Sequence, residues 1–197
     1  MSQITPAHHD SYRTTTLGFW IYLMTDCLLF ATLFATYAVL HHRIAGGVSS
    51  HQLFDLPFVL IETLLLLTSS MASGMALLAV QHKRRIAALR WLGLTLVLGL
   101  GFIGMELTEF ASLVAKGHSW QSSAFLSAFF TLVGTHGAHI VVGLIWGGVM
   151  WWLLARGVST TPHIVKKMTL FTIFWHFLDI IWICIFTFVY LMGSIYS

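Results

Sequence analysis

Charge is what this sequence has least of: Asp, Glu, Lys and Arg make up 9% of 197 residues, where an average soluble domain carries roughly 25%. A chain so poor in charge and 57% hydrophobic cannot clothe a soluble globule in polar surface, and it is equally unlike a disordered chain. Two cysteines rule out a disulfide framework or a multi-cysteine zinc site. Three prolines beside sixteen glycines exclude proline-rich and collagen-like architectures. Mean hydropathy is +0.84. The sequence is that of an integral membrane protein. Its net charge of +3 does not point to nucleic acid, because the ten Lys and Arg are spread over short loops and are explained by topology.

What the chain has instead is long apolar runs. A bilayer span needs about 20 such residues, and five stretches qualify, at about 17–40, 57–80, 91–115, 125–155 and 168–195. Lipid offers backbone groups no partner, so these are helices or closed-barrel strands; barrel strands would alternate in polarity, and these do not. The expected fold is an all-α bundle of five transmembrane helices forming a single domain over 1–197, with mostly antiparallel neighbours. The polar first sixteen residues and the long run after them predict a retained first helix rather than a signal peptide. The stretch 41–56, with Gly46 and Gly47, is expected to be a solvated external turn. Basic residues divide unequally: Arg13, Lys83, Arg84, Arg85, Arg90, Arg156, Lys166 and Lys167 on one side, Arg43 and Lys116 on the other. The positive-inside rule then predicts a cytoplasmic N-terminus and, after five crossings, a C-terminus on the outer side.

No basic residue falls within a span, whereas five of the seven acids do: Asp26, Glu62, Glu106, Glu109 and Asp179. An acid at the bilayer centre costs about 2.5–3.5 kcal/mol on insertion scales, so five facing lipid would threaten insertion. They are expected to face the bundle, a partner subunit or water, or to sit at headgroup level. Their roles are interhelical hydrogen bonding, proton handling or partner contact. His136 and His139 share one helix face, and His176 and Asp179 have the same spacing on the last helix. The three histidines read either as haem ligands or as hydrogen-bonded anchors between helices, with Asp179 orienting His176.

Gly99, Gly101 and Gly104 satisfy a dinucleotide-binding pattern, but one that has meaning only between a strand and a helix. In mid-span, small residues let helices approach closely, as do Gly143 with Gly147 and Ser70 with Gly74. Cys27 and Cys184 are expected to be buried free thiols. Trp91, Trp120, Trp146, Trp151 and Trp152 fit interface anchors near helix ends.

Two segments carry a resemblance: Gly134-Thr135-His136-Gly137-Ala138-His139-Ile140 and Trp175-His176-Phe177-Leu178-Asp179-Ile180-Ile181-Trp182. Both resemble subunit III of haem–copper respiratory oxidases. Met24-Thr25-Asp26 with Phe30, the run Leu65 to Ser70, and Phe102 through Glu106 to Glu109-Phe110 resemble three further motifs of that family, in order along the chain. Phe19-Trp20-Ile21-Tyr22-Leu23-Met24, Gly104-Met105-Glu106 and Val189-Tyr190-Leu191-Met192-Gly193 are similar to the cytochrome o-type ubiquinol oxidase branch, whose members have five helices where many relatives have seven. The sequence departs from the family in having Asp26 where Glu is usual and Glu106 where many members have Gln.

The resemblance implies an accessory, non-catalytic subunit of a bacterial proton-pumping terminal quinol oxidase, with no active centre of its own. Haem and copper are implied to belong to catalytic subunit I, with subunits II and IV completing the complex in the inner membrane, which makes the outer side, and so the C-terminus, periplasmic. Subunit III is implied to stabilise subunit I, bind phospholipid and support proton uptake, with Asp26 the candidate proton-handling residue. Within that frame His136, His139, His176, Asp179, Glu62, Glu106 and Glu109 are expected to be structural polar groups. The rivals are a stand-alone b-type cytochrome, resting on the histidines, and a proton-coupled transporter, resting on the acids.

Overall fold

The computed structural model describes residues 6–40, 56–115, 124–157 and 161–191. Five long helices account for nearly all of them: α1 (Pro6–Leu40), α2 (Leu56–Gln81), α3 (Arg85–Ala115), α4 (Ala124–Ala155) and α5 (Pro162–Ile185), the last running into a π-helical turn, Phe186–Leu191. All five are long and apolar enough to cross a membrane. The expected solvated turn at 41–56 falls, but for Leu56, outside the described residues, as does Trp120.

Several helices begin before their apolar runs do. Proline opens α1 at Pro6 and α5 at Pro162, a position where its missing N–H costs nothing and its fixed φ suits the helix. Between α2 and α3 the turn is tight: Arg84 N–H reaches the Ala79 carbonyl at 2.9 Å and Lys83 N–H the Val80 carbonyl at 3.0 Å. This is a Schellman cap, with Lys83 in the left-handed position (φ 56°) that glycine usually fills. Gly157 (φ 81°) occupies the matching position after α4. There the Arg85 guanidinium, from the start of α3, donates to the Leu154 carbonyl at 2.7 Å and to the Ala155 carbonyl. A cation thus satisfies the orphan carbonyls at the negative end of α4. Beside it, Arg156 lies 3.9 Å from the centre of the Trp152 ring and the Trp151 indole N–H donates to the Leu89 carbonyl at 3.2 Å.

The helices do not pack simply in sequence order. α2 pairs with α3, and α3 with α4, but α1 packs on α4 and α5 rather than mainly on α2, its successor. α5 meets α1, α2 and α4 and is the most enclosed helix. Its rings Phe171, Phe174, Trp175 and Trp182 are fully buried. Glycines on the neighbours make room for them. A Cβ on Gly143 would come within 2.8 Å of Trp175, one on Gly147 within 3.0 Å of Phe171, and one on Gly99 within 3.0 Å of Trp175. Gly101 and Gly104, the rest of the dinucleotide-like pattern, have open space beside them, so only Gly99 serves the packing. Leu17, Ile21, Met24 and Leu28 of α1 remain exposed, a face suited to lipid or to another subunit. Cys27 lies on the uncovered side of α1 too; it is exposed rather than buried, and Cys184 is half-buried, both as free thiols.

Candidate functional site

Each intramembrane acid turns toward the bundle. Asp26, Glu62, Glu106 and Asp179 are buried and Glu109 is half-buried. Glu62, with 0% exposure, is enclosed by neighbouring helices. The acids and the three histidines fall into three polar groups, each joining different helices.

The first lies between α1 and α4. Asp26 Oδ2 is 3.5 Å from His139 Nε2, an ion-pair distance longer than a good hydrogen bond. His139 Nδ1 lies 2.7 Å from the Thr135 carbonyl one turn back, which fixes the ring's orientation. Phe30, one turn beyond Asp26 on α1, covers the imidazole with ring centres 5.4 Å apart. The spacing of Asp26 and Phe30 thus has a local reason: the acid meets the histidine and the ring shields the pair.

The second lies between α2 and α5, with α3 behind. The Ser69 hydroxyl donates to the Thr95 carbonyl at 3.1 Å and accepts from the Trp175 indole N–H at 3.0 Å. Ser70 Oγ is 3.0 Å from His176 Nδ1, and Asp179 lies in the electrostatic neighbourhood of this pair. The serine pair therefore joins three helices. His176 itself is exposed along the bundle's outer surface, although it lies at mid-span depth.

The third lies at the end of the bundle opposite the Lys83–Arg85 turn. Glu62 from α2 and Glu106 and Glu109 from α3 share one electrostatic neighbourhood with the Tyr190 hydroxyl, which donates to Glu109 Oε2 at 3.0 Å. The Trp182 indole N–H donates to Thr63 Oγ1 at 3.1 Å. His136 stacks on Trp182, with centres 5.2 Å apart and planes 27° apart, and meets Phe102 edge-on. Gly137 leaves the space that the Glu106 carboxyl fills: a Cβ there would lie 2.6 Å from Oε1.

His139 and His176 are thus held by hydrogen bonds, whereas His136 is held by ring packing alone: neither of its nitrogens has a partner among the described residues. Among the described residues no three His, Cys, Asp or Glu side chains converge in the manner of a metal site. Sequence reasoning passed over Ser69, Thr63 and Tyr190 as partners. None of the three is charged at neutral pH; Ser69 and Tyr190 were marked only by membership of motifs, and Thr63 by nothing.

The motifs run in order along five helices, and His136, His139, His176 and Asp179 are drawn into one bundle. Residues 3–194 match the family described as cytochrome c oxidase subunit III. The chain belongs to that family. A subunit III relative from Pseudomonas putida, named cytochrome bo(3) ubiquinol oxidase subunit 3, is 52% identical over 94% of this chain and 89% of its own length. Quinol oxidase subunit 3 of Bacillus spizizenii is 46% identical over 93% of this chain and 90% of its own. Cytochrome c oxidase subunit 3 of a Bacillus species is 42% identical over 91% and 86%. With five apolar helices and bacterial subunit III relatives, this is a multi-pass protein of a bacterial inner membrane. Membership of the subunit III family disfavours the stand-alone cytochrome and transporter readings.

Proposed function

We propose that the chain is the accessory, non-catalytic third subunit of a bacterial proton-pumping terminal quinol oxidase of the aerobic electron transport chain. The observation that carries this reading is the near full-length match to relatives named quinol oxidase subunit 3. In this reading haem and copper reside in catalytic subunit I, where oxygen is reduced, and subunits II and IV complete the complex. The whole chain acts as one unit that braces subunit I and holds phospholipid against its apolar faces.

The N-terminus is cytoplasmic and the C-terminus periplasmic in this proposal. It is supported by Lys83, Arg84 and Arg85 lying between α2 and α3 at the end of the bundle where Arg156 closes α4. Asp26 handles protons: it enters from that side along α1, is 6% exposed and faces an imidazole that can share its proton. Glu62, Glu106, Glu109, His136, His139, His176 and Asp179 serve as structural polar groups within the bundle in this reading.

The reading is tested by placing an affinity tag on this chain and purifying it in mild detergent. A haem-containing complex that oxidises ubiquinol with oxygen should accompany it. Recovery of the chain free of haem and of quinol oxidase activity would overturn the proposal.

A further inference from the structure

The Glu62–Glu106–Glu109 group is more than an interhelical hydrogen-bond knot. A knot would pair its polar atoms with one another, yet both carboxyl oxygens of Glu62, Oε2 of Glu106 and both ring nitrogens of His136 are buried without a partner among the described residues. Glu62 and His136 are completely buried and Glu106 is 3% exposed. Native proteins rarely leave such atoms unsatisfied; polar interior sites recruit water, which bridges two to four groups at a time.

Glu62 from α2, Glu106 and Glu109 from α3, and Tyr190 from the π-helical turn lie within electrostatic range of one another, with Tyr190 bonded to Glu109 at 3.0 Å. His136 from α4 lies next in sequence to the glycine that makes room for Glu106. Among the described residues no Lys or Arg side chain forms an ion pair with any of them. Three ionised carboxylates so placed would repel one another in a low-dielectric interior. A carboxylic acid carries its own donor as well as acceptors, so protons balance the charge and complete the hydrogen bonding.

We propose that Glu62, Glu106 and Glu109, with Tyr190 and His136, enclose a hydrated chamber that stores exchangeable protons within the membrane. Its ligands are water and the proton. Exchange moves a proton between a carboxyl oxygen and a chamber water and makes or breaks no other covalent bond. His136 adjoins His139 across the Phe30 ring, but the chamber does not depend on a proton role for Asp26.

The test is infrared spectroscopy of the assembled oxidase in H2O and D2O, with wild-type chain and with Glu62→Gln, Glu106→Gln and Asp26→Asn. The wild type should show a protonated-carboxyl C=O band that shifts in D2O. Glu62→Gln and Glu106→Gln should each remove the share of one carboxyl, while Asp26→Asn leaves that band in place. If a Gln variant does not assemble, Glu109→Asp keeps the acid and should shift the band rather than remove it. A band indifferent to all the glutamate variants, or one that never shifts in D2O after turnover, would overturn the chamber: the first would make the groups ionised, the second dry. Either result would leave the accessory-subunit reading standing, since that depends on co-purification.

Discussion

His139 presents Nε2 to the Asp26 carboxylate at 3.5 Å while its Nδ1 sits 2.7 Å from the Thr135 carbonyl. A carbonyl only accepts, so Nδ1 carries the hydrogen, and Nε2 is the atom turned to the Asp26 carboxyl.

Asp26→Asn keeps the shape of the side chain and abolishes its ability to exchange a proton. The oxidase should assemble normally, with proton pumping or turnover lifetime falling several-fold, and Asp26→Glu should restore much of the loss. Vesicle proton-translocation assays check this, and an Asn variant indistinguishable from wild type in both properties would remove the role of Asp26.

Gly143 faces Trp175 and Phe174, whereas Gly148 on the same helix has no neighbour within 4 Å of its would-be Cβ. Gly143→Ala should therefore destabilise the bundle by about 1–3 kcal/mol, the usual cost of overpacking. Gly148→Ala should be near neutral. Thermal dissociation of the purified complex compares the two; equal effects would mean that α4 and α5 are less closely packed than described.

Ser69→Ala leaves the Trp175 indole N–H buried without its acceptor. The expected loss is about 1 kcal/mol, the lower range for an orphaned buried donor. A double-mutant cycle with Trp175→Phe isolates the pair itself, for which about 0.6 kcal/mol is the average between membrane helices. A coupling of zero would show that the bond at 3.0 Å contributes only geometry.

Arg85→Ala removes a charged cap from the carbonyl end of α4 and should cost about 0.5–1 kcal/mol, the scale of a cation at a partly exposed helix end. Arg85→Lys, which keeps charge but loses the forked donor, should fall between the two. Protease nicking after residue 155 gives a sensitive readout, and an Ala variant as resistant as wild type would deny the cap any role.

Much of this architecture was legible in the chain because lipid leaves so few choices. Apolar runs located all five helices, and the cost of burying charge narrowed the places for five acids to the bundle, a partner, water or the headgroups; of these the fold uses the bundle interior for Asp26, Glu62, Glu106 and Asp179. Helix starts were less legible: α1, α3 and α5 continue past the hydrocarbon into polar residues that hydropathy discounts. The grouping of Glu62 with Glu106 and Glu109 could not be read from spacing. It depends on which helices are neighbours and on how they are rotated. Arg85 counted in the sequence only as one basic residue among eight, because its capping partners lie on α4, distant in sequence. The exposure of Cys27 and His176 was hidden for the same reason: a periodic apolar helix does not state which side its neighbours occupy.

The most direct test of the account is turnover of the purified quinol oxidase with and without this chain. Without it, the catalytic complex should still oxidise quinol at first, then lose activity within far fewer turnovers and take up protons more slowly. Restoring the wild-type chain should recover both properties. Equal complex mass, lifetime and proton uptake in the two preparations would contradict the claim that this chain is the subunit that sustains the oxidase.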